Sequence, residues 1–506
     1  MKHALLAVAL AATLATPATA TPTVTWHDCR TTPDDEIGAQ LHDAGAQCAE
    51  IEVPVDHRDP KGRKLSIAIA RRPATSNRLG TLLVNTGGPG PSRDGVVLLA
   101  AGLPPAPAGA PEVAAHYDLV GVDPRFFGRS NPLECGWPTD RYLRSAQFAS
   151  PDRLSFDRSV RVARDLAARC EPKRNVLPYV STRDIARDLD MVRAALGERR
   201  VSYLGWSYGG YLGAVYLQMF PDHVDRVVLD STIGPDAQGP ALTREAGPAT
   251  AAALADWARW AARHDEQYNL GRTPDRVLGT VDQINRAAAR EPLRVGEYRI
   301  DASMVPGLLL TVDDTESSYV ELSAQVRVLR DAARRLPVTP TPDQAAKLAL
   351  YATPEVIPEF GFSAATANQC ADRAAVRDPE AYYRDIQAHR AAEPLYGPLT
   401  RDITPCAFWP TRPVEPPTSF TTGHPALLVG AAGDPVTPYP GQRAMRHALP
   451  GSRMITLDSA FRHGVYLFDA NPCVDDSVNG YLLGGALPDA DRTCARTSPG
   501  RTKPAS

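Results

Sequence analysis

The 506-residue chain lacks three features that would each indicate a class of partner. Its formal net charge is only −3, so it has no excess of positive charge of the kind that binds nucleic acid. The apolar run at residues 4–14 is too short to span a bilayer. Its cysteines and histidines show neither a CxxC nor an HxxxH spacing. We therefore expect no nucleic-acid partner, no membrane anchor, no metal and no cofactor, and nothing here indicates an oligomeric state.

The first twenty residues have the parts of an export signal. A short basic start at residues 1–3 precedes the apolar run, and residues 18–20 read Ala-Thr-Ala, a small-x-small cleavage site. No cysteine lies near that site, which argues against a lipid anchor. We predict a signal peptide at 1–20, cleaved after Ala20, and a secreted protein.

Eight cysteines in an exported chain indicate disulfides, because oxidising compartments favour them. Sequence alone does not fix the pairing. Closeness along the chain suggests the pairs Cys29–Cys48, Cys135–Cys170, Cys370–Cys406 and Cys473–Cys494.

Short apolar segments alternate with helical ones in two parts of the chain. The predicted strands are at 65–70, 81–85, 117–122, 200–204, 224–229, 425–430 and 454–457, the last of which is expected to end the sheet. The segment between the two parts is rich in Ala and Arg and mostly helical. This pattern is typical of an α/β fold with a mostly parallel sheet covered on both faces and an inserted helical lid.

These boundaries divide the chain into five parts. The parts are a signal peptide at 1–20, the first part of an α/β core at 21–238, a helical lid at 239–396, the second part of the core at 397–494 and a flexible tail at 495–506. We expect the chain to fray from about residue 492 onward.

Residues 205–209 read Gly-Trp-Ser-Tyr-Gly and match Gly-x-Ser-x-Gly, the sharp strand-to-helix turn that exposes a serine oxygen. The glycines are needed because a side chain at either position would strike the neighbouring strand and helix. A β-rich segment precedes the motif, and a helical segment at 210–220 follows it. We therefore interpret Ser207 as a catalytic nucleophile.

A serine nucleophile requires a base and an orienting acid. In α/β-hydrolase folds, which use this elbow, the chain order is serine, then acid, then histidine. His463 follows the last predicted strand and is the preferred base, whereas His424 enters a strand and His447 lies in a helical segment. Two acids compete. Asp434 follows the strand at 425–430 and is favoured, although it could instead cap a helix, and Asp230 ends the strand after the elbow.

Acyl transfer also requires N–H donors for the oxyanion. The N–H of Tyr208 follows the nucleophile, and a second donor is expected from the glycine-rich loop at 86–90. Pro89 has no N–H, so Gly88 is the preferred donor and Gly90 the reserve.

Several segments together resemble the secreted tripeptidyl aminopeptidases of actinobacteria, α/β-hydrolases related to proline iminopeptidases. The core motifs are at 87–90, 117–125, 205–210 and 433–438, and the characteristic C-terminal segment of that family is matched at 368–372, 406–410 and 480–482. The similarity runs from about residue 26 to about residue 494. It implies Ser207 as nucleophile, Asp434 as acid and His463 as base.

Two departures from the family pattern flank the expected pocket. Phe126 stands where the family usually has the first glycine of Asp-Pro-Arg-Gly, and Pro91-Ser92-Arg93 replaces a Gly-Ser-Gly sequence. A bulky Phe126 would narrow or redirect the pocket, so the chemistry of the family transfers more safely than its substrate preference.

The sequence thus predicts a secreted serine exopeptidase that hydrolyses peptides near a free N-terminus. Such an enzyme must bind the α-amino group of its substrate, and the acidic residues Asp313, Asp314 and Glu316 of the lid are candidates, against the alternative of a solvated surface. An esterase or amidase with the same triad and a non-catalytic binding protein are the alternatives.

Overall fold

The structure, a computed structural model, describes residues 24–102 and 109–496. The predicted signal peptide at 1–20 and its cleavage site lie outside these residues. In chain order the strands are β1 (His27–Asp28), β2 (Gln47–Pro54), β3 (Lys64–Arg72), β4 (Gly80–Asn85), β5 (Tyr117–Val122), β6 (Val201–Trp206), β7 (Val224–Asp230), β8 (Leu293–Val295), β9 (Tyr298–Ile300), β10 (Leu427–Ala431), β11 (Arg453–Asp458) and β12 (Arg492–Ala495).

Helices connect these strands and form the layers that cover them. In chain order they are α1 (Glu36–Asp43), α2 (Gly95–Ala101), α3 (Pro111–His116), α4 (Thr139–Gln147), α5 (Arg153–Arg169), α6 (Thr182–Ala195), α7 (Tyr208–Met219), α8 (Ala246–Arg263), α9 (Asp265–Tyr268), α10 (Pro274–Arg290), α11 (Val305–Leu308), α12 (Glu316–Ala333), α13 (Pro342–Tyr351), α14 (Phe362–Asp372), α15 (Pro379–His389), α16 (Gly397–Thr400), α17 (Tyr439–Ala448) and α18 (Pro472–Gly484). Short 3-10 turns lie at Glu171–Lys173, Leu177–Tyr179, Pro221–His223, Pro358–Phe360 and Pro405–Phe408.

One large sheet has the strand order β1-β2-β3-β5-β4-β6-β7-β10-β11-β12. The pairs from β1 to β5 are antiparallel, and every pair from β5 to β12 is parallel. Asn85 pairs with Gly205 and Trp206 pairs with Asp230, so β4, β6 and β7 end at the same edge of the sheet. That edge is where ligands bind in folds of this kind.

The sheet is buried on both faces, which is why its central strands are apolar throughout. Within β6, Tyr203 belongs to the core on the side of α6 and α7, and Leu204 belongs to the core on the side of α2, α3 and α18. The alternation of side chains along a strand sends these neighbours to opposite faces. Among the described helices, none has the length and apolar character needed to cross a membrane.

A helical insertion separates β7 from β10 and contains the small hairpin β8–β9. It has a hydrophobic core of its own, built around Trp257, Trp260 and Tyr319, to which Leu143 of α4 also belongs. The predicted lid at 239–396 falls within this insertion.

The structure pairs the eight cysteines as closeness along the chain suggested: Cys29–Cys48, Cys135–Cys170, Cys370–Cys406 and Cys473–Cys494. The expectation that the chain frays from residue 492 is wrong for residues 492–496. Residues 492–495 form β12, which extends the sheet beyond β11, and Arg496 is half-buried. The disulfide at Cys494 holds this edge strand in place.

Candidate active site

Ser207 lies at the turn between β6 and α7, where its backbone adopts φ 58° and ψ −123°. This strained conformation is characteristic of a nucleophile elbow. A Cβ atom at Gly205 would lie 2.4 Å from the carbonyl oxygen of Gly209, and one at Gly209 would lie 2.7 Å from the carbonyl oxygen of Asn85. Both glycines of the motif are therefore required by close backbone approaches, as the sequence predicted.

Asp434 and His463 form a hydrogen-bonded pair. The ring Nδ1 of His463 lies 3.0 Å from Oδ2 and 3.1 Å from Oδ1 of Asp434, which is fully buried. The same carboxylate accepts the N–H groups of Val436 and Thr437 and a hydrogen bond from the side chain of Gln442. These donors fix the position of the carboxylate beside the ring, so the proton on His463 is assigned to Nδ1.

The ring hydrogen bonds of His463, within the described part of the chain, are all made by Nδ1, to Asp434 and to the hydroxyl of Thr437 at 3.2 Å. Nε2 is thus the nitrogen that remains for a catalytic proton transfer. Burial lowers the pKa of His463, but the charge and hydrogen bond of Asp434 and the charge of Asp230 outweigh it, so this pKa lies above its usual value.

Asp230 connects the serine to the segment that follows the histidine. Its main-chain carbonyl accepts the N–H of Ser207 at 2.9 Å. Its buried carboxylate accepts the N–H groups of Val465 at 3.1 Å and Tyr466 at 2.7 Å. The rival acid of the sequence therefore contacts the backbone just after His463 rather than the imidazole.

The glycine-rich loop after β4 reaches the nucleophile. A Cβ atom at Gly87 would lie 3.0 Å from Cβ of Ser207, and the N–H of Gly87 already donates to the side chain of Asn85 at 3.0 Å. Residues 24–102 and 109–496 provide no hydrogen-bond acceptor for the N–H groups of Gly88 and Tyr208. Two uncommitted donors beside the serine are what an oxyanion site needs.

The comparisons with known proteins agree with this geometry. The sequence-family model described as alpha/beta hydrolase fold matches residues 80–469 of this chain. A tripeptidyl aminopeptidase of Streptomyces coelicolor is 33% identical, with 89% of this chain and 83% of that protein covered. The serine protease Hip1 of Mycobacterium tuberculosis is 29% identical over 93% of this chain and 91% of its own length, and carboxylesterase B of the same organism is 33% identical over 94% and 90%.

The chain belongs to the tripeptidyl aminopeptidase family of α/β-hydrolases. It is an enzyme, a serine hydrolase, as its elbow motif predicted. No group of three or more metal-ligating side chains occurs among the residues that the structure describes in this hydrolase.

In this α/β-hydrolase the predicted amine-binding acids lie in the helical insertion, the predicted lid, on a segment next to the histidine. The carbonyl of Val312 accepts the N–H of His463 at 2.7 Å. Asp314 is buried and accepts the N–H of Phe461 at 2.9 Å, whereas one oxygen of Asp313 accepts hydrogen bonds from Thr315. The third acid, at position 316, is exposed at the start of α12.

Of the residues that depart from the family pattern, Phe126, Ser92 and Arg93 are buried, whereas Pro91 is exposed. Phe126 has a positive φ of 70° and is only 4% exposed. Arg93 is buried and its Nε donates to Asp123 at 2.9 Å, while the N–H of Ser92 donates to the same carboxylate. The positive φ explains why glycine is usual at position 126 in the family.

Sequence reasoning missed a contact between the lid and the residue after the nucleophile. The hydroxyl of Tyr208 lies 2.8 Å from that of Thr182 and accepts a hydrogen bond from Asn368 of α14 at 3.1 Å. The same threonine donates to Asp372, whose pKa is raised to about 6 by burial. Residues 368–372 carried part of the family resemblance, and that was the signal that could have indicated this role.

Proposed function

We propose that this hydrolase is a serine exopeptidase that cleaves short peptides from substrates with a free N-terminus. The observation that carries the proposal is the 3.0 Å contact between Asp434 and His463, at the same sheet edge as the strained Ser207. The relatives named tripeptidyl aminopeptidase and serine protease support peptide bonds as the substrate class.

The chemistry follows from the roles of the named atoms. Oγ of Ser207 attacks the scissile carbonyl carbon while Nε2 of His463 takes its proton, and Asp434 stabilises the imidazolium that forms. The N–H groups of Tyr208 and Gly88 stabilise the oxyanion. The imidazolium then protonates the leaving amine, the acyl-enzyme forms, and a water activated by the same histidine hydrolyses it.

The substrate amine requires a carboxylate within reach of the serine. Three extended residues span roughly 10 Å, which sets the distance between an N-terminal amine and the third scissile bond. Asp313 suits this role best of the three acids. Asp314 is already bonded to Phe461 and Arg496, and Glu316 is exposed at the start of the helix. We therefore propose Asp313 as the amine-binding member of the three acids.

The amine site is tested with Asp313→Asn, compared with Glu297→Gln, which removes the same charge from an exposed site on the hairpin turn of the lid. We expect Asp313→Asn to raise KM about tenfold for a free-amine tripeptidyl anilide, since a charge-assisted hydrogen bond contributes about 1.5–3 kcal/mol. The Nα-acetylated substrate should show no change. Equal effects of the two variants on both substrates would overturn the assignment.

The exopeptidase activity is tested by mass spectrometry of the products from an unblocked peptide of about ten residues, alongside aminoacyl, dipeptidyl and tripeptidyl anilides. Successive loss of tripeptides from the N-terminus is expected. An unchanged rate after acetylation of the amine would contradict the proposal.

An esterase or amidase remains the second candidate, because a relative that is 33% identical is named carboxylesterase B and the same triad serves both reactions. Short acyl esters assayed beside the anilides decide between them by their kcat/KM ratio. Ser207→Ala should abolish the hydrolysis of anilides and esters alike, because the proposed nucleophile is then absent.

We also propose that the protein is exported. The four disulfides support an oxidising compartment, in which such bonds persist. N-terminal sequencing of protein from the culture supernatant should give Thr21 as the first residue, and retention of the first twenty residues would contradict the predicted cleavage.

A further inference from the structure

Arg496 lies at the end of the last strand and reaches the lid. It follows β12, which the Cys473–Cys494 disulfide fastens to α18. Its side chain is only 15% exposed, and the guanidinium is surrounded by two acidic residues and two carbonyl groups. A buried arginine with several acceptors forms a fixed connection, because its planar group donates in defined directions.

The guanidinium bridges two parts of the molecule. Nε lies 2.9 Å from Oδ2 of Asp314, and Nη1 lies 2.9 Å from Oδ2 of Asp256 in α8. Nη2 donates to the main-chain carbonyl of Asp314 at 3.2 Å. Nη1 also donates to the carbonyl of Ser459, just after β11, at 3.2 Å. Arg496 thus joins the lid to the start of the loop that carries the histidine.

Asp314 and its neighbour Val312 link Arg496 to the backbone of the histidine loop. Oδ2 of Asp314 accepts the N–H of Phe461 at 2.9 Å, and the carbonyl of Val312, two residues earlier, accepts the N–H of His463 at 2.7 Å. The backbone of the loop at 459–463 is therefore held by the lid segment at 312–314, and the carboxylate of Asp314 in that segment is bonded to Arg496.

The cluster is balanced in charge. It contains three arginines and three aspartates: Arg496, Arg462, Arg259, Asp256, Asp314 and Asp469. Arg462 lies 3.6 Å from Asp314 and is bonded to Asp469. Arg259 is bonded to Asp256. Removal of Arg496 would leave the carboxylate of Asp314, 3% exposed, with Arg462 as its remaining nearby cation. Loss of the closer cation leaves this buried carboxylate less well compensated, since Arg462 lies 3.6 Å away, so we expect Asp314 and its segment to shift.

We propose that Arg496 is a positioning residue for the active-site histidine, acting through Asp314 and the lid segment at 312–314. The inference rests on the proposed function, since it assigns a role toward His463 as the base. Displacement of His463 would slow proton transfer from Ser207 without removing a group that binds substrate. The effect should therefore fall on kcat, and KM should stay nearly constant for a short acyl ester, which has no α-amine for Asp313 of the same segment to bind.

The test compares Arg496→Gln with Arg492→Gln in the full-length mature chain. Arg492 lies on the same strand, is exposed and bonds only to Ser477 among the described residues, which makes it a matched control. The measurements are the rate constant and final stoichiometry of labelling by a fluorophosphonate, together with kcat and KM for a short acyl ester, whose binding does not involve Asp313. We expect labelling and kcat to be about tenfold slower in Arg496→Gln, because small misplacements of a catalytic group cost large factors in rate. Final labelling and KM should stay unchanged, and Arg492→Gln should match the unmodified enzyme.

Two further variants separate positioning from folding. Arg496→Lys cannot span the same acceptors with one ammonium group and should give an intermediate rate constant. The double variant Cys473→Ser/Cys494→Ser, which frees β12, should reproduce the slow labelling. A purely structural role would lower the final stoichiometry of labelling and leave the rate constant unchanged, which would overturn the inference. If Ser207→Ala were labelled as fast as the unmodified enzyme, the proposed function itself would fail. If Ser207→Ala is not labelled and Arg496→Gln is labelled at the rate of the unmodified enzyme, only the positioning role fails.

Discussion

The buried carboxylate of Asp230 accepts the main-chain N–H of Tyr466 at 2.7 Å, and the main-chain carbonyl of the same aspartate accepts the N–H of Ser207 at 2.9 Å. One residue thus contacts both the nucleophile and the segment after His463. Trp206 adds a second connection, since its indole N–H donates to the carbonyl of Tyr466 at 3.2 Å. The relative placement of serine and histidine therefore depends on the ends of β6 and β7.

We expect Asp230→Asn to lower kcat about tenfold and the free energy of unfolding by about 1–3 kcal/mol, because an amide leaves a buried N–H donor without its acceptor. Asp225→Asn, on the exposed part of the same strand, is the control and should change neither quantity. Activity assays and urea unfolding measure the two effects. A variant with normal kcat would show that the contacts to Val465 and Tyr466 do not place the histidine.

The pH dependence should follow the raised pKa of His463. Burial lowers this pKa, and the charges of Asp434 and Asp230 and the hydrogen bond of Asp434 raise it by more. The base must be neutral, so kcat/KM should rise with pH through a midpoint above 6.5. In Asp230→Asn one of the negative charges is gone, and we expect the midpoint to shift to lower pH.

The free energy of unfolding should depend on His463 as well, and the contribution of this residue should fall as the pH rises. A histidine whose folded pKa is raised stabilises the fold fully below its unfolded pKa, and this contribution is lost as the pH rises through the folded pKa. Unfolding of His463→Gln should therefore lose part of the pH dependence seen in the unmodified enzyme above pH 6.5. An identical dependence in both proteins would contradict the raised pKa.

The central strands were predictable because each is a short apolar run buried on both faces. β2 was not predicted, since its exposed face carries Glu50 and Glu52 and it pairs antiparallel at the edge region of the sheet. β12 is mostly exposed, and it becomes recognisable only once Cys494 is paired and β11 is in place.

The proposed triad was indicated by local motifs, whereas the residues that hold its members in place were not. Asp230 contacts a residue 236 positions along the chain, and Arg496 contacts one 240 positions away. No local spacing encodes such contacts, because they arise from the meeting of strand ends at one sheet edge and from the insertion of the lid. The sequence therefore indicated Asp230 only as an alternative acid.

Phe126 should respond to substitution in an unusual order. Its φ of 70° is unfavourable for a side chain by about 1–2 kcal/mol, whereas its buried ring contributes about 3 kcal/mol or more. We expect both Phe126→Ala and Phe126→Gly to be destabilising, with the glycine variant more stable than the alanine variant by about 1 kcal/mol. Phe127, also buried but without a positive φ, is the control, and there alanine should be the more stable of the two. Thermal unfolding of the four variants measures the order, and the same order at both sites would refute the argument.

The buried ion pair between Arg125 and Asp188 should be the costliest of these contacts to break. The guanidinium is fully buried and lies 2.6 Å from each carboxylate oxygen, and it also donates to the carbonyls of Pro54 and Val55. Arg125→Met removes the guanidinium from the buried carboxylate of Asp188 and leaves it beside the ring Nε2 of His57, at 2.9 Å, so we expect a loss of about 3–5 kcal/mol in the free energy of unfolding.

The exposed pair of Arg58 and Asp56 supplies the comparison, because Arg58→Met there should cost less than about 1 kcal/mol. The double variant Arg125→Met/Asp188→Leu removes both charges and should recover part of the stability lost in the single variant, since no uncompensated carboxylate remains. Urea unfolding of the three proteins checks this order. If the double variant were less stable than Arg125→Met, the loss of stability would come from the hydrogen bonds to Pro54 and Val55 and not from the carboxylate of Asp188 that has lost its arginine.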